Sequence, residues 1–182
     1  MAKTLSNQTL KADSKAPSFS LKGVDGKVYS LEDFKGKCLL VVFMCNHCPY
    51  VKARIGDLTN LRNGFSATEL SIVGINSNDP LYPDEGFENM IKFAEKYKIN
   101  FPYLLDDLQT VAKSYGAVCT PDPFLFNTQR GLVYHGKIND ALEPESIPKI
   151  PVMENNVKLI LGGGTIVNQF DPSIGCSIKW RT

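Results

Sequence analysis

The seven residues Cys38-Leu39-Leu40-Val41-Val42-Phe43-Met44 include no polar side chain that alternates with the apolar ones. An unbroken apolar run of this kind suits a strand buried on both faces, as in a parallel sheet with helices on each side. Leu70-Ser71-Ile72-Val73-Gly74-Ile75 predicts a second buried strand, closed by the turn-rich Asn76-Ser77-Asn78-Asp79-Pro80. Between the two, Val51, Ile55, Leu58, Leu61 and Phe65 recur at helical spacing, so Tyr50 to Phe65 is expected to be a helix with one apolar stripe. Phe87 to Tyr97 predicts another, with Met90, Ile91, Ala94 and Tyr97 facing in. Gln109 to Tyr115 predicts a short one ended by Gly116.

Hairpins frame this alternating middle. Phe19-Ser20-Leu21 and Val28-Tyr29-Ser30-Leu31 flank Asp25-Gly26, a dipeptide that favours a tight turn between antiparallel strands. Leu31 to Phe34 follows as a helical turn ending at Gly36. Pro123 to Phe126 and Leu132 to His135 make a second hairpin across Asn127 to Gly131, and Glu154 to Leu161 is a helix stopped by Gly162 to Gly164. Residues 1–16 read as a loosely ordered polar extension, 17–165 as the domain, and 166–182 as a tail that carries Cys176 and the only tryptophan, Trp180. The fold class expected is α/β, a mixed central sheet flanked by helices with an N-terminal β-hairpin.

Composition narrows the partners. The chain has 182 residues, with 20 Lys+Arg against 19 Asp+Glu, a net charge of +1. So balanced a surface argues against nucleic acid or an anionic membrane as the partner. The longest apolar run, Cys38 to Cys45, is far short of the roughly 18 residues that span a bilayer. MAKTLSNQTLKAD has no apolar signal region, so the cytoplasm is the expected compartment. Five cysteines, an odd number, are Cys38, Cys45, Cys48, Cys119 and Cys176. In a reducing compartment such thiols serve packing, metal ligation or redox chemistry.

Cys45-Asn46-His47-Cys48-Pro49 stands where the first buried strand hands over to the first helix. Two cysteines three apart on a first helical turn can approach closely enough to form a disulfide. The unpaired N–H groups there lower a thiol's pKa. Pro49 fits a first turn, which needs no N–H from it. An imidazolium at His47 would further stabilise the Cys45 thiolate and make the disulfide more oxidising. Motifs of this type span roughly −270 to −120 mV, and this one is expected on the oxidising side of the reductive extreme. A zinc site would need two more ligands in a close pair, which Cys119 and Cys176 do not form, so no metal is expected.

With Thr120-Pro121 some seventy residues further on, these motifs resemble the thioredoxin-like superfamily. Cys45-Asn46-His47-Cys48 matches its redox motif and Thr120-Pro121 its cis-proline loop. The pattern covers Pro17 to Leu161. The N-terminal hairpin resembles the redoxin branch, which holds the alkyl hydroperoxide reductase/thiol-specific antioxidant proteins. The tail Pro172 to Trp180 is similar to that of a bacterial subgroup with this motif. The resemblance implies a thiol–disulfide oxidoreductase without a bound cofactor. In it Cys45 attacks a protein or small-molecule disulfide and Cys48 releases the product. His47 tunes the thiolate, Thr120 and Pro121 shape the substrate groove, and a thioredoxin or glutathione system supplies electrons.

Two other activities stay open at this point. A peroxiredoxin-like peroxidase would be an antioxidant enzyme, but its P-x-x-x-T/S-x-x-C pattern fits neither cysteine. With Cys48 as the reactive thiol, Cys45 and Val41 replace the hydroxyl residue and the proline; with Cys45, Val42 replaces the hydroxyl. A copper-delivery protein of this fold would use two cysteines, a following proline and a distant histidine; Cys48-Pro49 fits, but the cysteine spacing of such proteins is longer and His135 lies in the wrong element. Met44 stands where thioredoxins carry tryptophan, and the incoming strand has no carboxylate to take a proton. Cys38 is expected in the core. Cys119 is either a third redox thiol or packing, and Cys176 a resolving thiol or part of a fixed tail. His135 is expected to be an exposed or half-buried strand residue, Lys52 and Arg54 a solvated helix face, and Asp79 and the acids from Asp84 to Glu88 loop and helix-start charges.

Overall fold

The apolar run that begins at Cys38 becomes the centre of the protein, and every one of its strand residues is buried. The computed structural model describes residues 3–181, so Met1, Ala2 and Thr182 of the extension and tail lie outside the described residues. In chain order the strands are β1 (Lys3–Leu5), β2 (Ser20–Gly23), β3 (Val28–Ser30), β4 (Cys38–Phe43), β5 (Leu70–Asn76) and β6 (Tyr103–Leu105). They continue as β7 (Cys119–Thr120), β8 (Asp122–Phe126), β9 (Leu132–Gly136), β10 (Phe170–Asp171) and β11 (Ile174–Ser177). The helices are α1 (Pro49–Asn63), α2 (Phe87–Lys96), α3 (Thr110–Tyr115) and α4 (Val152–Leu161), with a 3-10 turn at Leu31–Asp33.

Eight strands form one mixed sheet in the order β10-β9-β8-β4-β5-β6-β2-β3. Strand β4 runs parallel to β5 and antiparallel to β8, so it is hydrogen-bonded on both edges. Its side chains alternate between two cores. Leu40 and Val42 pack with Ile55 and Leu58 of α1, Met90 of α2 and Met153 of α4. Leu39, Val41 and Phe43 pack on the other face with Val111 and Tyr115 of α3 and with Phe19 and Phe34. Double coverage is why the run needs no polar alternation.

Helix α1 starts at Pro49 and ends at Asn63, one residue earlier and two residues earlier than the apolar stripe predicts. Cys48 is its N-cap and Cys45 precedes it, so neither cysteine lies on the first helical turn. Arg54 does not belong to a solvated face. It is buried, and its guanidinium donates to the carbonyls of Ala141 (3.1 Å), Glu143 (2.7 Å) and Ser146 (3.2 Å), pinning that loop to the helix.

The ends of the chain depart furthest from expectation. A second sheet, β1-β11-β7, joins the N-terminal extension and the tail to the strand beside Pro121. Strand β1 pairs antiparallel with β11 in the register Lys3↔Cys176, so Lys3–Leu5 of the extension are held in a sheet. Strand β10 adds parallel to β9 at the edge of the large sheet. These strands of two to four residues are too short to show a period, and they are held by backbone pairing that leaves no mark on side-chain pattern. Strand β6, three residues after Pro102, escaped the pattern for the same reason.

Candidate active site

The strand-to-helix handover sets Cys45 and Cys48 in the loop and at the N-cap above β4, and both are wholly buried. None of the five cysteines is in a disulfide. Strand β7 crosses above them. Cys45 Sγ lies 3.1 Å from the Thr120 hydroxyl, and Cys48 Sγ lies 3.2 Å from the Thr120 carbonyl oxygen. The Thr120–Pro121 peptide is cis, as the resemblance implies. Cys176 of β11 comes to the same place, its Sγ 3.0 Å from that of Cys48. Three sulfurs and one threonine therefore meet at the start of α1.

The two motif cysteines are driven apart in acidity. Cys48 is lowered from the ordinary 9.0 to about 5, because the thiols of Cys45 and Cys176 and the Val51 N–H of the first helical turn donate to its thiolate, against the cost of burial. The Thr120 carbonyl accepts the proton of the neutral form and works the other way. Burial pushes Cys45 up, helped by the bond it donates to Cys48 and by the negative charge of Glu85. Burial and the neighbouring Cys48 thiolate raise Cys176 to about 12. The thiol that is lowered is Cys48, whereas the motif reading expects it at Cys45.

His47 does not meet the sulfurs directly. Its Nδ1 is 2.5 Å from Glu85 Oε1, its ring tilts against Tyr82 at 4.9 Å, and its buried Nε2 has no hydrogen-bond partner among the described residues. Glu85, read from the sequence as a loop acid, is instead a buried organiser of the motif. It accepts the backbone N–H of Asn46 (3.1 Å) and of His47 (3.2 Å), and its other oxygen accepts Asn76 Nδ2 at 2.6 Å. Tyr103 donates to Asn46 Oδ1 at 2.9 Å and fixes the remaining motif side chain. The carboxylate missing from β4 is thus supplied from the loop after β5. No spacing rule marks Glu85, because it reaches the site through tertiary packing.

Cys45, His47 and Glu85 also present donor atoms within 4.8 Å of one another, an S/N/O set of the kind zinc accepts. His47 Nδ1 and Glu85 are bonded to each other and Cys45 to Thr120, while His47 Nε2 is left over. His135 takes no part in it. Contrary to expectation it is buried, stacked on Phe124 at 3.9 Å, with Nε2 2.7 Å from Asp122 Oδ1. Asp122 follows Pro121 and also accepts the Ser173 hydroxyl at 3.1 Å. Cys119 is buried and faces Ser173 at 3.9 Å rather than the sulfur pair, and burial raises its pKa. Cys38 lies in the core, as expected. A cleft lined by Tyr50, Arg54, Pro121, Leu142 and Ile174 opens beside the site.

The pattern of the AhpC/TSA family matches residues 12–135, from the extension through β9. The chain belongs to the AhpC/TSA family. Its fold is thioredoxin-like. It is similar to the thioredoxin domain of a thiol-disulfide oxidoreductase from Bacteroides vulgatus, with TM-score 0.65 and 25% identity, covering 82% of this chain and 97% of that one. An uncharacterized conserved protein from Geobacillus kaustophilus is nearer, with TM-score 0.93 and 40% identity over 100% of this chain and 97% of the other. Among curated relatives, thiol-disulfide oxidoreductase ResA of Geobacillus thermodenitrificans is 26% identical over 114 residues, 63% of this chain. The match spans 62% of that relative's length.

Proposed function

We propose that this chain is a thiol–disulfide oxidoreductase acting on protein or small-molecule disulfides and dithiols, recharged by a reducing partner such as a thioredoxin or glutathione system. The observation that carries the reading is the Cys45/Cys48 pair at the N-cap of α1, with one sulfur poised as thiolate beside Thr120. Similarity to thiol-disulfide oxidoreductase ResA supports it. The odd set of thiols suits the cytoplasm as its compartment.

The Cys48 thiolate attacks one sulfur of the substrate disulfide. That S–S bond breaks, its other sulfur leaves as a thiolate and takes a proton, and a mixed disulfide forms on Cys48. Cys45 passes its proton toward the His47–Glu85 pair, whose donor atoms lie within 4.8 Å of its sulfur, and attacks Cys48 Sγ. The second substrate thiol departs, and Cys45–Cys48 is left oxidised. The substrate has gained two electrons and two protons. Relative to the motif reading, the two cysteines exchange roles.

The test is turnover of a disulfide-linked peptide with dithiothreitol as electron donor. Cys48→Ser should abolish turnover, and Cys45→Ser combined with Cys176→Ser should strand the peptide on Cys48. Trapping on Cys45 in Cys48→Ser would restore the roles expected from the motif. Turnover unaffected by either change would remove the activity itself.

A peroxidase is the second reading, favoured by the family description and by similarity to a putative peroxiredoxin of Mycobacterium tuberculosis, 27% identical over 79% of this chain. Against it, Val41 and Val42 are buried in β4 where a peroxide-holding proline and hydroxyl would be needed.

A further inference from the structure

Strand β11 lies where an extended substrate would. It pairs antiparallel with β7 in the register Cys176↔Thr120 and Ser177↔Cys119, so the backbone edge nearest the sulfurs is occupied by the chain's own tail. The approach is unusually close. A Cβ added at Gly175 would fall 1.9 Å from the Thr120 carbonyl oxygen and 3.2 Å from Pro121 N, a position only glycine can hold. Strand β1 backs β11 from the other side, Ser6 exchanges hydrogen bonds with Ser173 at 3.0 Å, and Lys179 N–H donates to Asn78 Oδ1 at 2.9 Å. All this construction delivers one side chain to the site, the Cys176 thiol, in contact with Cys48.

We infer that Cys176 is a third redox thiol, which competes with Cys45 for the sulfur of Cys48 and converts the Cys45–Cys48 disulfide into Cys48–Cys176. The inference rests on the disulfide exchange proposed above. In the step, the Cys176 thiolate attacks Cys48 Sγ. The Cys48–Cys176 bond forms as the Cys45–Cys48 bond breaks, the electron pair leaves on Cys45, and Cys45 takes up the proton that Cys176 gave up. One disulfide is lost and one gained, so no outside oxidant is consumed. The charge that opposes ionisation of Cys176 belongs largely to the Cys48 thiolate, and it vanishes once Cys48 is in a disulfide, while Lys179 favours the Cys176 thiolate. The oxidised protein then rests with β11 tied covalently across the groove and Cys45 reduced.

Tryptic peptides distinguish the two bonds. Cys45 and Cys48 share the peptide 38–52, and Cys176 lies on 159–179. Reduced full-length protein is treated with one equivalent of the aromatic disulfide DTNB, quenched with acid, digested and mapped without reduction. The expected result is a peptide linking 38–52 to 159–179, absent from Cys176→Ser. Cys45→Ser should still form that link, nearly one per chain, with release of two thiolates from the reagent. Gly175→Val, which keeps every sulfur, should lose the link and retain Cys45–Cys48; it decides the matter if Cys45→Ser does not fold. A wild-type protein holding only the bond within 38–52, with Cys45→Ser arrested as a mixed disulfide with the reagent, would overturn this inference and leave the exchange reading standing. Formation of neither internal disulfide would end both.

Discussion

Gly175 lies flat against the Thr120 carbonyl, 1.9 Å from where a Cβ would stand, and this contact decides how closely β11 can cover the sulfur pair. Replacing Gly175 with alanine should lift β11 from β7. Cys48, wholly buried when the tail is in place, should then react with iodoacetamide at least about tenfold faster, a change of about 1.4 kcal/mol in the opening equilibrium. Stopped alkylation with mass analysis of peptide 38–52 measures it. An unchanged rate would mean that the cover opens elsewhere.

The acidity of Cys48 has consequences for both reaction and stability. Its pKa falls from 9.0 to about 5 on folding, so the unfolded chain holds a proton there that the folded chain has released throughout that interval. Its contribution to stability is complete above pH 9.0, declines as the pH drops, and is gone below about 5. Thiolate absorbance in Cys45→Ser should titrate well below 9.0, and the reduced wild type should lose denaturant stability across the same window relative to Cys48→Ser. A titration at the ordinary value would hand the attacking role back to Cys45.

A thiolate stabilised in the reduced protein weakens the corresponding disulfide. Equilibration with glutathione buffers should therefore place the protein above the roughly −270 mV of the reductive extreme.

Glu85→Gln removes the negative charge beside Cys45 and leaves His47 facing a neutral amide instead of a carboxylate. The first attack by Cys48 should persist. Release of the mixed disulfide should slow by about 10²–10⁴-fold, the range of general-base contributions. Quench-flow with mass detection would then show the mixed disulfide accumulating. A variant that is only less stable, with unchanged release, would reduce Glu85 to a structural role.

His135 and Asp122 are partners 2.7 Å apart, both buried. Asp122→Ala, which strands His135 and deprives Ser173 of its acceptor, should cost about 3–5 kcal/mol in denaturant unfolding. Cys48 should remain redox-active in the folded fraction, since neither residue touches the sulfurs.

Peroxide should be consumed by the reduced protein no faster than by free cysteine. The hydroxyl of the P-x-x-x-T/S-x-x-C pattern is replaced by Val42 if Cys45 is the reactive thiol and by Cys45 if Cys48 is, so hydrogen peroxide finds no such hydroxyl in either register. Rapid sulfenic acid on Cys48 or Cys45 would reverse this.

The parts of the fold legible in the sequence are those whose side chains carry a period. The apolar run in β4, the stripe of α1 from Val51 to Leu61 and the Asp25-Gly26 turn all declare themselves through residue type. So does the Cys45–Cys48 spacing, because its chemistry depends on neighbours in the chain. What stayed hidden is held by backbone or by distance. Strands β1 and β11 contribute hydrogen bonds that any residue could make. Glu85 reads as an ordinary loop acid until packing turns it toward Asn46 and His47, and Arg54 reads as a surface charge until a loop folds over it. Cys176 stands 128 positions from Cys48, and only the closed tail brings the two together.

Chain order gives that closure a direction. Translation delivers β4, α1, the Glu85 loop and β7 before Ile174 to Ser177 leaves the ribosome, so the reactive pair is assembled while its cover is still being made. Each newly synthesised molecule passes through an interval in which Cys48 faces the surrounding pool of small thiols and disulfides. Arrival of the final strand closes that interval, and with it the period in which a stray adduct can form.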